Sequence, residues 1–249
     1  MKPTFLKYEK PLLTVMIKQT QNPDNILAEI KRAHVVGAEA FGIQAEGLPR
    51  QYHTEENWKK IFRELCDKPL YITNYKLSQN ENLSYEEIAD ELVSYAQMGA
   101  TLCDVMGDMY HKADNELTYD EDAVKKQMQL IERIHQNGGE VVMSSHVNKF
   151  MTAEQVLEMA LEHRRRGADI SKIVAHADDM EQQIENLRIT SMLKEKLDFP
   201  FLFLSGGECR LHRQIGIKLG CCMSLCICDR NDENPQPYIE DARTIRDLL

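Results

Sequence analysis

The chain has 249 residues and carries 30 Lys and Arg against 40 Asp and Glu, which gives a formal net charge of −10. This acidic balance argues against nucleic acid and against an anionic membrane as the main partner, because both require a basic surface. At 43% hydrophobic and 28% charged residues, the composition is that of a folded globular protein rather than a disordered chain. No apolar run approaches the roughly 18 residues that a membrane-spanning helix needs.

The N-terminal and cysteine patterns both favour a cytoplasmic protein. The first residues, MKPTFLKYEKPLL, alternate charged and apolar side chains, which is not the pattern of a signal peptide. There are seven cysteines, five of them between Cys209 and Cys228, and an odd number fits a reducing compartment. Their spacing lacks the C-x2-C of a zinc site. We therefore expect buried small side chains here rather than a metal cluster.

Short apolar runs alternate with longer amphipathic runs along the chain, so strands and helices are predicted in turn. The predicted strands cover Leu12–Ile17, Ala40–Ala45, Pro69–Tyr75, Thr101–Met106, Glu140–Ser144, Ile170–Ala175, Phe201–Leu204 and Cys221–Cys228. The predicted helices run from Asn22 to Gly37, Glu55 to Cys66, Ser84 to Gly99, Asp120 to Asn137, Thr152 to Gly167, Asp178 to Lys196, Arg210 to Lys218 and Tyr238 to Leu249. Ser84 and Thr152 each begin a capping-box pattern.

Eight strand–helix units predict a parallel sheet covered by helices. Eight units in about 250 residues match an α/β protein with a closed (β/α)8 TIM barrel, and we expect residues 1–249 to form a single domain. A doubly wound open sheet is the alternative. Neither G-x-G-x-x-G after the first strand nor G-x-x-x-x-G-K-[ST] occurs in the sequence.

Active sites of such barrels lie at the C-terminal ends of the strands, so polar residues there are candidates. Lys172 is the most informative, since it lies inside the short apolar run Ile170–Val174. Desolvation makes the neutral amine of a lysine available as a nucleophile toward a carbonyl group. The alternative is a lysine that extends to the barrel mouth or pairs with Asp169.

Further candidates come from strands five and seven. His146 ends strand five, next to the strand of Lys172, and adjacent strands lie about 4.8 Å apart, so it could act as general acid and base. Ser205-Gly206-Gly207 is predicted to be a turn whose backbone N–H groups could bind an anion. Arg210 or Arg213 could pair with a carboxylate.

Three stretches resemble the type I 3-dehydroquinate dehydratase family, whose members are Schiff-base barrel enzymes of the shikimate pathway. These are Val141–His146, Gly167–Val174 and Ser205–Cys221, and Pro235-Gln236 resembles the family's lid segment. The resemblance implies dehydration of 3-dehydroquinate or a related polyhydroxy keto acid, with no metal or dissociable cofactor. Lys172 would form an iminium and His146 would transfer protons. Arg213 would hold the carboxylate and Gln236 would close over the substrate. A homodimer is also implied.

The chain departs from the family pattern at three strand ends. Glu46 stands where the family has an arginine after strand two, and Tyr75, followed by Lys76, stands where it has one after strand three. Met106 replaces the family's glutamate that orients the histidine, so His146 is expected to lose a charged partner unless Asp104 or Asp108 compensates. We therefore expect a rebuilt pocket in which Glu46, Lys76 and Ser205 join Arg213 and Gln236 as substrate-binding residues.

Three other readings stay open on the sequence. Retro-aldol cleavage shares the iminium intermediate, so a class I aldolase is one alternative. A metal-dependent isomerase or hydrolase would use Asp104, Asp108, His146 and His176. A non-catalytic descendant that binds a ligand is the third, because the glutamate and two arginines are missing.

Overall fold

The computed structural model describes residues 3–230 and 233–248, and within them the chain forms one parallel β-barrel surrounded by helices. Met1 and Leu249, the bounds of the predicted domain, lie outside the described residues, and Leu249 is also the predicted end of the last helix. The strands are β1 Leu12–Ile17, β2 Ala40–Gln44, β3 Leu70–Thr73, β4 Leu102–Met106, β5 Glu140–His146, β6 Ile170–Ala177, β7 Phe201–Gly207 and β8 Met223–Cys226.

A helix follows each strand, as predicted. The helices are α1 Pro23–Val35, α2 Glu55–Glu64, α3 Tyr85–Met98, α4 Glu121–Gln136, α5 Ala153–Arg165, α6 Met180–Lys196, α7 Arg210–Ile215 and α8 Ile239–Leu248. Capping boxes at Ser84 and Thr152 begin α3 and α5, so both sequence predictions are confirmed. Among the described residues, none of the helices is both long enough and apolar enough to span a bilayer.

The strands pair in the order β7-β6-β5-β4-β3-β2-β1-β8. A hydrogen bond of 2.9 Å from the Cys222 N–H to the Phe201 carbonyl connects the two ends of this order, between β8 and β7. The predicted TIM barrel is thereby confirmed, and the open-sheet alternative is wrong.

Strands β6 and β7 extend further than predicted. They pair through to Ala177 and Gly207, so Ser205-Gly206-Gly207 is the end of a strand rather than a turn. The prediction of a turn at these three residues is therefore wrong. The cysteines from Cys209 to Cys228 are free and buried, as predicted.

Two buried histidines, His163 and His212, connect the barrel wall to the helix layer. In His163, Nε2 forms a hydrogen bond with the hydroxyl of Ser145, and Nδ1 forms one with the hydroxyl of Ser171. Burial and the nearby Arg166 lower its pKa from 6.5 to about 3. Burial and Arg213 lower the pKa of His212 to about 4. Both imidazoles are therefore neutral in the folded protein at any pH near neutrality.

These lowered pKa values predict acid sensitivity. In the unfolded chain His163 takes up a proton near pH 6.5, whereas in the folded protein it does not. The contribution of His163 to the free energy of unfolding is therefore full above pH 6.5 and is lost progressively below it. His163 alone should cost about 2 kcal/mol between pH 6.5 and pH 5. Urea unfolding of the wild type and of His163→Asn at both pH values measures this. The variant should lose about 2 kcal/mol less on acidification, and equal losses would contradict the prediction.

Candidate active site

Lys172 lies in the middle of β6 with its side chain inside the barrel, 6% exposed. Its Nζ donates to the hydroxyls of Tyr71 at 2.8 Å and Tyr75 at 3.1 Å, and lies 3.3 Å from Oδ2 of Asp104. A buried ammonium group needs such partners. The alternative partner considered from the sequence, Asp169, instead accepts from His135 and from the Val141 N–H, so pairing of Lys172 with Asp169 is wrong.

Asp104, in β4, is the buried counter-ion of this lysine. Its carboxylate accepts from Tyr71 and Tyr75 at 2.5 and 2.6 Å, and from Ser144 at 2.5 Å. Burial raises the pKa of Asp104, but Lys172 and the three hydroxyls outweigh burial, and the net pKa lies below its usual value. The carboxylate is therefore charged, and its charge faces the amine of Lys172.

His146 ends β5 and is held by a glutamate from the loop that follows the neighbouring strand β4. Oε2 of Glu116 accepts from the His146 N–H at 2.8 Å and contacts Nδ1 at 2.9 Å. The bonds from His146 lower the pKa of Glu116 against the effect of burial, so Glu116 is a carboxylate and can only accept. Nδ1 is thereby assigned the proton, and Nε2 is left with the lone pair that a general base needs.

Glu116 lies in the loop between β4 and α4, in a left-handed backbone conformation with φ of 50°. The Ser145 hydroxyl donates to its carbonyl at 2.7 Å, and Gly107 packs so closely that a Cβ there would lie 2.5 Å from the same oxygen. The loop is thus held against the barrel. The expectation that His146 loses its charged partner is wrong, since Glu116, rather than Asp104 or Asp108, supplies it.

Lys172 and His146 share a cavity of about 170 Å³ at the barrel mouth. Its wall combines apolar, polar and cationic side chains, and no Asp or Glu belongs to it among the residues that the structure describes. The wall residues are Met16, Lys18, Gln44, Tyr71, Thr73, Tyr75, His146, Lys172, Val174, Leu204, Arg213, Leu225 and Gln236. Since Asp104 neutralises Lys172 from below, Lys18 and Arg213 leave the cavity suited to an anion.

Arg213 and Gln236, two predicted substrate-binding residues, both line this cavity. Nε of Arg213 donates to the Ser205 carbonyl at 2.7 Å, which fixes the plane of the guanidinium group. Oε1 of Gln236 is buried without a hydrogen-bond partner among the described residues. A buried acceptor of this kind is costly unless a ligand satisfies it.

The other three predicted substrate-binding residues lie outside the cavity wall. Glu46 is buried in the turn after β2 and accepts from the Thr73 hydroxyl, so Gln44 lines the cavity instead. Lys76 places its ammonium group over the ring of Tyr85, 4.9 Å from its centroid. Ser205 faces the helix layer, where its hydroxyl bonds to His212 and Asn186. Strand alternation explains the last case, because Leu204 takes the inward position.

Three wall or positioning residues were not identified from the sequence. Lys18 follows the end of β1 directly, and that strand end alone would have identified it. Tyr71 lies within an apolar run, and no sequence pattern there indicates that its hydroxyl contacts Lys172. Glu116 comes from a long loop, where no pattern places a side chain. The side chains considered for a metal are dispersed: Asp108 pairs with Lys112, and His176 lies 3.5 Å from Asp178.

The family model described as type I 3-dehydroquinase matches residues 15–249. A 3-dehydroquinate dehydratase of Alkaliphilus oremlandii is 29% identical over 135 residues, which cover 53% of this chain and 52% of that protein. The corresponding protein of Lactiplantibacillus plantarum is 25% identical over 166 residues, 63% of this chain and 64% of that one. The chain thus spans about half to two thirds of the length of these curated relatives.

Among solved structures, the type I 3-dehydroquinate dehydratase of Clostridium difficile, crystallised with covalently modified comenic acid, superposes with a TM-score of 0.83. The two chains are 17% identical, and the match covers 98% of this chain and 94% of the other. At this identity the likeness establishes the barrel fold.

Proposed function

We propose a lyase activity for this chain, which belongs to the type I 3-dehydroquinase family: the dehydration of 3-dehydroquinate or a related polyhydroxy keto acid through an iminium on Lys172. The observation that carries the proposal is the buried Lys172 amine at the floor of a cavity that His146 also lines. An amine held in a dry, preorganised site is what Schiff-base chemistry requires.

The substrate is oriented by its carboxylate in this proposal. Arg213, with Nε fixed on the Ser205 carbonyl, offers the rest of its guanidinium group to that carboxylate. The amide of Gln236, whose buried Oε1 has no partner among the described residues, accepts from a substrate hydroxyl. The ketone then lies over Nζ of Lys172.

The chemistry follows from these positions. Lys172 adds to the ketone, and loss of water gives a positively charged iminium that acidifies the neighbouring C–H. Nε2 of His146 removes this proton to give an enamine, since Nδ1 is held by Glu116. The same nitrogen returns the proton to the departing hydroxyl group. Hydrolysis of the product iminium frees Lys172, and no step needs a metal or a dissociable cofactor.

Turnover of 3-dehydroquinate tests the function. The purified protein should release a conjugated enone acid, followed by its ultraviolet absorbance and by proton NMR, at a kcat within the ordinary enzymatic range of about 1–10³ s⁻¹. Absence of turnover in a protein that is folded by circular dichroism would contradict the proposal and would favour another carbonyl compound as the substrate.

Replacing Glu116 by Gln should lower kcat about 10–100-fold while imine formation on Lys172 continues. The amide can present its NH2 group to Nδ1, which removes the charge that stabilises the imidazolium and disturbs the tautomer. Steady-state kinetics across pH measures this, and the pH profile should shift with kcat. Asp114→Asn, an exposed acid on the same loop, is the control and should match the wild type. Equal kinetics for both variants would remove Glu116 from the mechanism.

Replacing Arg213 by Gln should raise KM about 10–100-fold with a smaller change in kcat, because it removes charge-assisted hydrogen bonds to a group remote from the reacting carbons. Arg210→Gln is the matched control, since Arg210 is exposed on the same helix and outside the cavity wall. A KM for Arg213→Gln within twofold of the wild type would contradict its carboxylate-binding role.

The compartment and the assembly state stay predictions. Seven free thiols support a reducing cytoplasm, where such cysteines persist unpaired. A homodimer rests on the family resemblance alone. Light scattering after size exclusion would give twice the mass of one chain if it forms.

A further inference from the structure

Tyr75 occupies a position between the nucleophile and the buried acid of the site. Its hydroxyl accepts from Nζ of Lys172 at 3.1 Å and donates to Oδ2 of Asp104 at 2.6 Å. Its ring stands 5.7 Å from that of His146, at an interplanar angle of 74°. The hydroxyl therefore joins Lys172 to Asp104 on the side of the cavity where His146 lies.

Asp104 itself cannot reach a substrate. It is 1% exposed and is not part of the cavity wall, whereas Tyr75 is part of that wall and is 7% exposed. Lys172 contacts Asp104 directly, with Nζ 3.3 Å from Oδ2, so a proton that moves between Asp104 and a bound substrate must pass through Lys172 or through a tyrosine hydroxyl. Tyr75 and Tyr71 both make the required pair of contacts, and Tyr75 is the more exposed of the two.

We propose that Tyr75 is a catalytic proton relay for iminium formation, with Asp104 as the group that holds the proton. This role rests on the proposed function and deepens it. It assigns the first half of the reaction to Tyr75 and Asp104, and leaves the C–H step to His146.

The relay transfers protons in two steps that together conserve atoms and charge. First, the Lys172 ammonium passes a proton to the Tyr75 oxygen while Tyr75 passes its own proton to Asp104, which leaves a neutral amine to add to the ketone. A proton then moves from nitrogen to the new alkoxide to give the carbinolamine. In the second step Asp104 returns its proton through Tyr75 to the carbinolamine hydroxyl, the C–O bond breaks, and water leaves. Ammonium and ketone have become iminium and water.

The electrostatics of the cluster favour both directions of transfer. Lys172 is the strongest of the groups that keep Asp104 ionised, and burial opposes them. When Lys172 gives up its proton, that support is lost and burial makes Asp104 a proton acceptor. When the positive iminium forms, the support returns and Asp104 releases the proton. Burial and Asp104 hold the pKa of Tyr75 well above 10, so the phenol stays protonated between transfers.

Tyr75→Phe and its matched control Tyr71→Phe test the relay. Each removes one hydroxyl from Asp104 and Lys172, so a merely structural loss should affect both alike. The full chain is mixed rapidly with 3-dehydroquinate, treated with borohydride at successive times, and measured by intact mass. We expect adduct formation to slow about 100-fold in Tyr75→Phe and only a fewfold in Tyr71→Phe.

A second readout separates the relay from a general loss of activity. With substrate deuterated beside the ketone, the isotope effect on kcat should fall toward 1 in Tyr75→Phe, because iminium formation has become limiting. Unchanged adduct rates in Tyr75→Phe, or equal slowing in both variants, would overturn the relay while leaving the proposed function in place. No adduct in the wild-type protein would contradict the proposed function, and the relay with it.

Discussion

Replacing Lys172 by Met should abolish dehydration, with kcat lowered by at least about 10⁴-fold, because it removes the wall amine that Tyr71, Tyr75 and Asp104 hold in place. Steady-state turnover of 3-dehydroquinate measures the loss, and borohydride should no longer attach any ligand to the protein. A residual kcat above a hundredth of the wild-type value would contradict the assignment of Lys172 as nucleophile.

The Lys172→Met variant needs a stability control, because it leaves Asp104 buried without its counter-ion. That loss should cost about 3–5 kcal/mol of unfolding free energy. The double variant Lys172→Met with Asp104→Asn removes the stranded charge and should recover most of the stability in urea unfolding, yet none of the activity. Recovery of activity with stability would mean that the lysine served the fold alone.

Replacing His146 by Gln should lower kcat about 10³-fold and leave iminium formation in place. The reason is that His146 acts on the C–H next to the iminium, whereas Lys172 and its hydroxyl partners remain. Steady-state kinetics and borohydride trapping, carried out side by side, measure the two halves of the reaction. We expect a trapped adduct with little turnover.

His176→Gln is the matched control for this variant. His176 lies near the end of β6 but outside the cavity wall, with Asp178 as its neighbour at 3.5 Å. It should retain wild-type kcat. If His146→Gln kept more than a tenth of the wild-type kcat, or if both variants fell equally, His146 would not be the general base.

The barrel was predictable from the sequence because its signals are local. Glycines between segments, two capping boxes, and apolar runs that alternate with amphipathic runs place the strands and helices within a few residues of their observed bounds. The ends of β6 and β7 were not predictable in the same way. Their pairing through Ala177 and Gly207 depends on neighbouring strands, which local composition does not encode.

The residues of the site also fall into two groups, those that a local motif identified and those that depend on tertiary contacts. Lys172, His146, Arg213 and Gln236 are placed together in the cavity, and each was identified from a motif. Ser205 was assigned one position away from Leu204, which lines the cavity, because a single residue reverses the direction of a side chain in a strand. Glu46 lies in the turn after β2, two residues beyond Gln44, which lines the cavity in its place. Glu116 and the contacts of Tyr75 depend on how a loop and a strand end approach the barrel, and only the structure gives that.

Every step of the proposed reaction requires an iminium on Lys172, and borohydride trapping with 3-dehydroquinate, followed by intact mass and peptide mapping, tests for it. We expect a single reduced ligand adduct on the peptide that contains Lys172, absent when either the ligand or borohydride is omitted. An adduct on another lysine, or no adduct in a folded protein that turns the substrate over, would contradict it.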